Sequence, residues 1–241
     1  MTLRKQHFDS KLFERQIATL ELSRQDVVMP TELPFAQFDL IQAKVPSRDG
    51  PVIDQLTSAG FKLCEGEIEL EISLDTEARA GAQSNVGNCR FACRHAKPED
   101  IPELSELAAT SFEGGTRFRR PWYTEEEARL MYSTWVAKAV RGEFDDICLM
   151  IEDGEGGVLA LVTLGKVQSS DFDIRIGLLA VRDTARKQGL GGVLLGAATE
   201  WALHLGKKRL RVATQISNME AIRLYVSAGA KPVGTSYWLY K

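Results

Sequence analysis

The sequence has few of the features that mark membrane-spanning, disulfide-rich or metal-centred proteins. No apolar run approaches the roughly 20 residues needed to cross a bilayer. The N-terminus leads into polar sequence and not into a signal-peptide core. The four cysteines form no CxxC pair, and no His/Cys spacing suggests zinc. We therefore expect a cytoplasmic protein without membrane insertion, with reduced thiols and with no metal.

An excess of positive charge is also missing. The 241 residues carry a formal net charge of -3, which argues against overall attraction to DNA or RNA and predicts no nucleic-acid partner. A local basic patch would still serve a smaller anionic ligand. What the chain does have is ordinary globular composition, with 44% hydrophobic and 26% charged residues. That is enough for one large domain or two small ones.

A small, polar stretch divides the chain. Residues 75–88 read DTEARAGAQSNVGN and contain almost no large apolar side chain, which is typical of a linker. We predict an N-terminal domain over residues 1–75, a linker over 76–88 and a C-terminal domain over 89–241. In the first domain, the charged and apolar residues of 67–72 alternate as in a strand with one solvated face. A short helix over 52–59 precedes that strand and stops at a glycine.

The C-terminal domain has a strong secondary-structure pattern. Its predicted order is helix, helix, hairpin, strand, helix, strand, helix, strand, because apolar residues recur first at helical spacing and then in buried runs. Strands alternating with helices predict an α/β (α+β) fold with a mixed sheet and a βαβ unit. The predicted elements span residues 98–111, 125–140, 147–152, 158–167, 174–181, 190–205, 210–214, 218–228 and 233–240.

A loop between a strand and a helix carries the clearest chemical signal. The pattern Arg186-x-x-Gly189-x-Gly191 follows the buried strand and opens directly into helix 190–205. Glycines let backbone N–H groups approach a ligand, and the first helical turn has unpaired donors. Together they predict a cradle for a pyrophosphate. The pattern is neither a P-loop nor GxGxxG, and a tight turn without a ligand is the alternative.

This segment resembles motif A of the GNAT superfamily of N-acetyltransferases, and Asn218 through Tyr225 to Gly229 resembles that superfamily's motif B. The resemblance implies a GNAT fold, in which helices flank a mixed, mostly antiparallel sheet, and it implies acetyl-CoA as co-substrate. Asn218 is a good helix N-cap by itself, and the resemblance adds a contact with the cofactor arm. The resemblance further implies that one backbone stretch holds the pantetheine arm, namely Leu179, Ala180 and Val181. The pyrophosphate would lie on a second stretch, namely Lys187, Gln188, Gly189, Leu190, Gly191 and Gly192.

Acetyl transfer from a thioester requires a neutral amine, a polarised carbonyl and a stabilised leaving thiolate. The resemblance assigns the last task to Tyr225. A phenol has a pKa of ~10 and a thiol one of ~8.5, so we expect the phenol to act partly as a hydrogen-bond donor to the sulfur. A packed core tyrosine is the alternative. Among the alternating carboxylates of residues 65–71, Glu65 is our candidate base, acting through a water, although most such faces are merely solvated.

Further runs resemble the members of the superfamily that acetylate dTDP-linked amino sugars. These runs are residues 65–67, 117–123, 141–145, 175–179, 210–215 and 236–240. The resemblance implies acetylation of the 4-amino group of dTDP-4-amino-4,6-dideoxygalactose, on the route to enterobacterial common antigen. The cations and aromatics of one run suit a nucleotide diphosphate and a thymine, or else form a solvated loop with core aromatics. The substrate-binding candidates in that run are Arg117, Arg119, Trp122 and Tyr123.

Direct attack by the amine in a ternary complex is the expected mechanism, because no cysteine has the base partner that a covalent intermediate needs. Two alternatives stay open. The chain is a GNAT acting on another amine, such as a protein N-terminus or an antibiotic, or it is a non-catalytic acyl-CoA sensor for which Tyr225 is dispensable. Analogy alone suggests a homodimer.

Overall fold

A computed structural model describes residues 1–22, 34–75, 91–112, 115–167 and 173–241 of the chain. The strands in these ranges are β1 (Thr2–Lys5), β2 (Ile17–Glu21), β3 (Leu40–Pro46), β4 (Lys62–Ser73), β5 (Cys93–His95), β6 (Ile147–Glu152), β7 (Val158–Lys166), β8 (Asp173–Val181), β9 (Arg209–Gln215) and β10 (Lys231–Tyr240). The α-helices are α1 (His7–Leu12), α2 (Gly50–Ser58), α3 (Ile101–Ser111), α4 (Glu125–Val140), α5 (Leu190–His204) and α6 (Met219–Ser227).

All these strands belong to one sheet, in the order β1-β2-β3-β10-β4-β9-β8-β7-β6-β5. The pairs β2–β3 and β8–β9 are parallel, and the other neighbours are antiparallel. The predicted mixed, mostly antiparallel sheet is therefore confirmed. Strand β10 lies between β3 and β4, so strands from both predicted domains hydrogen-bond within the same sheet. The domain division itself stays a prediction, and the linker over 76–88 lies outside the described residues.

Helices cover both faces of the sheet. On one face α1, α3 and α4 enclose a core that contains Leu104, Val136 and Leu161. On the other face α5 and α6 pack with Leu194 and Val162, and α2 covers the adjoining cluster on β3 and β10. Among the described residues, no helix has the length and apolar character required to cross a bilayer.

Capping interactions fix where the helices next to the cleft begin. The Thr124 side chain accepts the Glu127 N–H, while Glu127 accepts the Thr124 N–H at 2.7 Å, which is a capping box at the start of α4. At the start of α6, Asn218 Oδ1 accepts the Ala221 N–H at 3.1 Å, as its residue type predicts. Both helices therefore begin at a residue whose side chain satisfies a backbone N–H of the first turn.

The C-terminal elements agree with the predicted ones within a few residues, and α4 and β6 agree at both ends. The N-terminal region holds more structure than was predicted. The sequence pattern did not predict helix α1 or the strands β1, β2, β3 and β5. Apart from β3, which has seven residues, they are three to six residues long, and β1, with the sequence TLRK, is an edge strand with one apolar residue. Such segments have too little periodicity to be recognised before their partners are known.

Candidate active site

Strands β8 and β9 separate part-way along their length. Their parallel pairing runs from Asp173–Arg209 to Ile176–Val212, but β8 continues to Val181 and β9 to Gln215. A cavity of about 980 Å³ occupies the region between the diverging strands. Beyond Ile176 the edge of β8 that faces β9 carries backbone groups without a strand partner there, and such groups require a hydrogen-bonding partner such as water or a ligand.

A β-bulge lies where the strands separate. Between the pairs Val162–Leu179 and Leu164–Ile176, two residues of β8, Gly177 and Leu178, oppose Thr163 alone. The Leu178 N–H donates to Thr163 Oγ1 at 2.9 Å, so the irregular backbone is held by a side chain. The extra residue also changes which face the strand presents. Ile176 packs on the α5 side of the sheet, whereas Leu178 packs on the α4 side.

Asp145 lies beneath this bulge, with its side chain fully buried. Its carboxylate accepts the Trp135 indole N–H at 2.7 Å and the Thr163 hydroxyl at 2.6 Å, and it forms an ion pair with Arg175 at 2.6 Å. The carboxylate occupies the space into which a side chain at position 177 would project. A Cβ added to Gly177 would lie under 3.0 Å from an Asp145 carboxylate oxygen. The bulge and the buried carboxylate therefore form one packed unit.

The glycine loop forms one end of the cavity. Lys187 and Gly189 both adopt positive φ angles, +62° and +82°, which turns the chain sharply into α5. Open space surrounds the positions where a Cβ would project from Gly189 and Gly192. Gly191 differs, because its added Cβ would lie 2.8 Å from Leu224 of α6. Nine of the ten predicted cofactor-binding residues line the cavity, and Gln188 does not.

Tyr225 also lines the cavity, at the α6 side. Its side chain is only 4% exposed, and burial raises the pKa of its phenol above the ordinary value. Among the described residues, no group is seen to hydrogen-bond to its hydroxyl. The phenol therefore keeps its proton at neutral pH beside the same space as the glycine loop.

Of the alternating carboxylates on β4, Glu67 and Glu69 line the cavity, and Glu65 does not. Glu65 folds back on its own strand, where its Oε1 accepts the Gly66 N–H at 2.8 Å. Glu67 Oε2 accepts the Trp238 indole N–H at 3.0 Å, and its Oε1 lies 2.5 Å from Lys44 Nζ. Burial opposes the charge on Lys44, but Glu67 and Glu69 outweigh it and raise the pKa of this lysine. The catalytic role of Glu65 stays a prediction, and its neighbour Glu67 is better placed.

Arg117 is the predicted substrate-binding residue that the structure brings to the cavity. Its guanidinium lies between the rings of Phe118 and Trp238, 4.3 and 4.4 Å from their centroids. Its Nη1 donates to Gln42 Oε1 at 3.0 Å and to the Tyr240 hydroxyl at 2.8 Å. Both hydrogen-bond partners of this cation are thus neutral side chains, which orient its guanidinium. Gln42 was not among the predicted site residues, because it lies on β3, a strand that was not predicted.

The other three predicted substrate-binding residues, Arg119, Trp122 and Tyr123, do not line the cavity. Arg119 donates twice to the Cys64 carbonyl, at 2.7 and 3.1 Å, and lies 5.1 Å above the Trp122 ring. Tyr123 is 1% exposed, and its hydroxyl accepts a hydrogen bond from the Gln42 amide at 2.7 Å. These contacts are packing interactions that join the loop before α4 to β3 and β4.

Two arginines that sequence reasoning gave no role line the cavity instead. Arg175 on β8 and Arg211 on β9 are Cα partners in the parallel ladder. Arg211 Nε lies 3.1 Å from Asp173 and 3.2 Å from Glu71. Over the whole cavity six basic side chains outnumber three acidic ones, although the chain is acidic overall. The basic residues are Arg117, Arg175, Arg186, Lys187, Arg211 and Arg223, and the acidic ones are Glu67, Glu69 and Glu220.

Residues 173–215 thus contain a bulged strand, a glycine loop that opens into a helix, and a second strand that diverges from the first. The family model described as the acetyltransferase (GNAT) family matches residues 102–230, more than half of the chain. The chain belongs to the GNAT family. A curated relative, a dTDP-fucosamine acetyltransferase from Escherichia coli O6:H1, is 36% identical over 207 residues, which are 86% of this chain and 84% of the relative. The prediction of a GNAT acetyltransferase is confirmed.

Solved structures show the same GNAT fold at low sequence identity. A GCN5-related N-acetyltransferase from Sphaerobacter thermophilus has a TM-score of 0.60 and 17% identity, covering 84% of this chain and 59% of that one. A tandem GNAT protein from the clavulanic acid biosynthesis pathway has a TM-score of 0.61 and 15% identity, covering 86% of this chain and 65% of that one. The fold similarity thus extends well beyond residues 102–230.

The cysteines that the structure describes in this GNAT acetyltransferase are poor nucleophiles. Burial raises the pKa of Cys64 and of Cys148 to about 12, and that of Cys93 to about 11, so all three are thiols at neutral pH. Cys89 lies outside the described residues. Within the described ranges, no group of three or more His, Cys, Asp or Glu side chains is arranged to hold a metal ion.

Proposed function

We propose that this GNAT acetyltransferase transfers the acetyl group of acetyl-CoA to the 4-amino group of dTDP-4-amino-4,6-dideoxygalactose. The observation that carries the proposal is a single cavity with two basic ends. One end is the glycine loop with Arg186 and Lys187, and the other holds Arg117, Arg175 and Arg211. Two separate basic ends suit two anionic substrates. The similarity to a dTDP-fucosamine acetyltransferase supports the choice of acceptor.

The donor end fits acetyl-CoA. In the first turn of α5 the Gly192 N–H already donates to the Gly189 carbonyl at 2.9 Å, so the backbone N–H groups of residues 187–191 are the ones that would hold the pyrophosphate. The lack of a Cβ at Gly189 and Gly192 leaves the backbone accessible. The free edge of β8 over residues 179–181 would pair with the amide groups of the pantetheine arm, in the manner of an added strand. This arm would bring the thioester toward the bulge.

Tyr225 would assist departure of the thiol. When the amine nitrogen bonds to the thioester carbonyl carbon and the C–S bond breaks, negative charge develops on the sulfur. A phenol that stays protonated can donate a hydrogen bond to that sulfur and supply its proton. The raised pKa of Tyr225 makes complete proton transfer harder and hydrogen-bond donation correspondingly more important.

Glu67 is the better-placed base for the acceptor amine. It lines the cavity, its carboxylate is 16% exposed, and its bonds to Trp238 and Lys44 fix its position. Acting through a water, it would take the proton that the amine loses on forming the amide. The test compares Glu67→Gln with Glu65→Gln. We expect the first to lower kcat by about 10²-fold or more, within the range for loss of a general base, and the second to leave kcat nearly unchanged.

Direct attack in a ternary complex agrees with this arrangement, because both basic ends open into the same cavity and the described cysteines are protonated. A covalent acetyl-enzyme would need a thiolate or another activated nucleophile. Assembly as a homodimer and a cytoplasmic location stay predictions.

A coupled thiol-release assay tests the proposal. Acetyl-CoA is supplied with dTDP-4-amino-4,6-dideoxygalactose or with its C4 epimer, and free CoA thiol is measured over time. We expect rapid release with the galacto sugar and little with the epimer. Absence of release with both, together with tight acetyl-CoA binding by calorimetry, would contradict the acceptor and leave a GNAT acting on another amine or a sensor.

A further inference from the structure

We infer that Arg175 and Arg211 form the subsite for the diphosphate of the acceptor, an inference that rests on the proposed function. The two residues are neighbours across the parallel ladder of β8 and β9, one position before the last pair, Ile176–Val212. Both line the cavity on its α4 side, at the point where the strands begin to separate. Two guanidinium groups are thus presented together at the closed end of the cleft.

Buried carboxylates hold both arginines in place. Asp145 contacts Arg175 and Asp173 contacts Arg211, and the side chains of both aspartates are fully buried. The arginine side chains are 35% and 42% exposed. A guanidinium has five N–H donors in a rigid fork, and the recorded contacts use one nitrogen of each. The remaining donors would be available for bidentate bonds to phosphate oxygens, and the carboxylates would restrict the arginines before the ligand binds.

This pair cannot serve the same pyrophosphate as the glycine loop. Arg175 and Val181 are six residues apart on an extended strand, which corresponds to roughly 20 Å. Two phosphate sites that far apart require either one long ligand with phosphates at both ends or two ligands. In the proposed reaction the donor places its pyrophosphate on the loop, so the arginine pair is left for the acceptor.

The position of the pair also agrees with the reaction geometry. Gly177 and Leu178, at the bulge, are next to the place where the thioester would lie, and Arg175 precedes them on the same strand. In the acceptor, one pyranose ring separates the 4-amino group from the diphosphate on C1. An amine directed at the bulge therefore places the diphosphate beside Arg175 and Arg211. Glu67 lines the same cavity from strand β4, which pairs with β9, and its Cα partner on β9 is Gln215.

The chain offers a matched control in Arg209. This arginine contacts Asp173 at 2.6 Å and Glu71 at 3.8 Å, the same carboxylates that Arg211 contacts, but it does not line the cavity. Arg209→Ala therefore removes an equal charge from the same cluster without touching the proposed subsite. Arg175→Lys and Arg211→Lys keep the positive charge and lose the fork.

The experiment measures KM for dTDP-4-amino-4,6-dideoxygalactose, for its methyl glycoside without the nucleotide, and for acetyl-CoA. For Arg175→Ala and Arg211→Ala we expect KM for the nucleotide sugar to rise about tenfold or more, as for loss of charge-assisted hydrogen bonds. The constants for the methyl glycoside and for acetyl-CoA should stay nearly unchanged. The KM of the lysine variants for the nucleotide sugar should lie between those of the wild type and the alanine variants. The KM of Arg209→Ala should match that of the wild type.

Three results would overturn the inference. They are an unchanged KM for the nucleotide sugar, an equal rise for the methyl glycoside, or a rise of the same size in Arg209→Ala. If the wild type turns over neither acceptor, the proposed function fails first, and calorimetry with dTDP alone then decides the subsite. Binding of dTDP by the wild type and by Arg209→Ala but not by Arg175→Ala or Arg211→Ala would support it, and equal binding by all four would refute it.

Discussion

Replacing Gly177 by alanine tests whether the buried Asp145 carboxylate shapes the donor cleft. The new methyl group would lie 2.6 Å from Thr163 Oγ1 and closer still to a carboxylate oxygen. Neither atom has room to yield, because Thr163 also accepts the Leu178 N–H and Asp145 also accepts the Trp135 indole. Overpacking of a core costs about 1–3 kcal/mol, and breaking a buried hydrogen bond costs about 1–3 kcal/mol more. The two effects together predict a loss of about 2–6 kcal/mol in the free energy of unfolding.

Urea unfolding followed by tryptophan fluorescence measures this loss, and Trp135 provides a reporter in direct contact with the carboxylate. For a chain of this size, at about 2–4 °C per kcal/mol, the expected fall in Tm is about 4–24 °C. Gly154→Ala is the control, because open space surrounds Gly154 and its φ is not positive, so its stability should stay within about 0.5 kcal/mol. A loss below about 1 kcal/mol for Gly177→Ala, with unchanged acetyl-CoA affinity, would refute the view that bulge and carboxylate form one packed unit.

Other substitutions test the remaining parts of the site. Tyr225→Phe should lower kcat by about 10²-fold or more while KM for acetyl-CoA changes little. Because burial raises the pKa of Tyr225, the wild-type rate of thiol release should not fall through loss of this proton until the pH exceeds the ordinary phenol value of about 10; a fall at lower pH that the Phe variant lacks would contradict this. Gly191→Ala should destabilise the fold by about 1–3 kcal/mol through its clash with Leu224, and adding Leu224→Ala should restore part of that in a double-mutant cycle. Arg119→Ala should lower Tm by removing two hydrogen bonds to the Cys64 carbonyl and leave KM for the nucleotide sugar unchanged, and a raised KM would show that Arg119 reaches the substrate.

The donor end of the site could be predicted from the sequence because its signals are local. A buried strand, a glycine loop and a helix start follow one another over residues 173–204, and each depends on neighbouring residues only. The same holds for Asn218, whose role as a helix cap is set within four residues. The resemblance to the GNAT superfamily rests on these local patterns. Both the fold and the family could therefore be predicted from the sequence.

The acceptor end could not be predicted in the same way because its residues meet through strand pairing. A period of two shows that residues 65–71 share a solvated face, but not which carboxylate meets a ligand. Glu67 differs from the other carboxylates because it accepts a hydrogen bond from the Trp238 indole on β10, a strand far away in sequence. Arg175 and Arg211 become neighbours only in the β8–β9 ladder. The cations and aromatics around Arg119 suit packing as well as they suit a nucleotide, and only the tertiary contacts decide between the two.

The position of β10 governs the order in which the chain can assemble. Strands β3 and β4 lie early in the sequence, yet they meet only through β10, and the whole of residues 74–230 separates β4 from it. During synthesis, β3 and β4 therefore cannot be joined within one sheet until β10 has been made. Such long-range pairing slows folding and leaves strand edges exposed meanwhile. The same strand carries Trp238 and Tyr240, which fix Glu67 and Arg117. The acceptor end of the cleft is therefore completed last, when the newly made polypeptide closes its sheet.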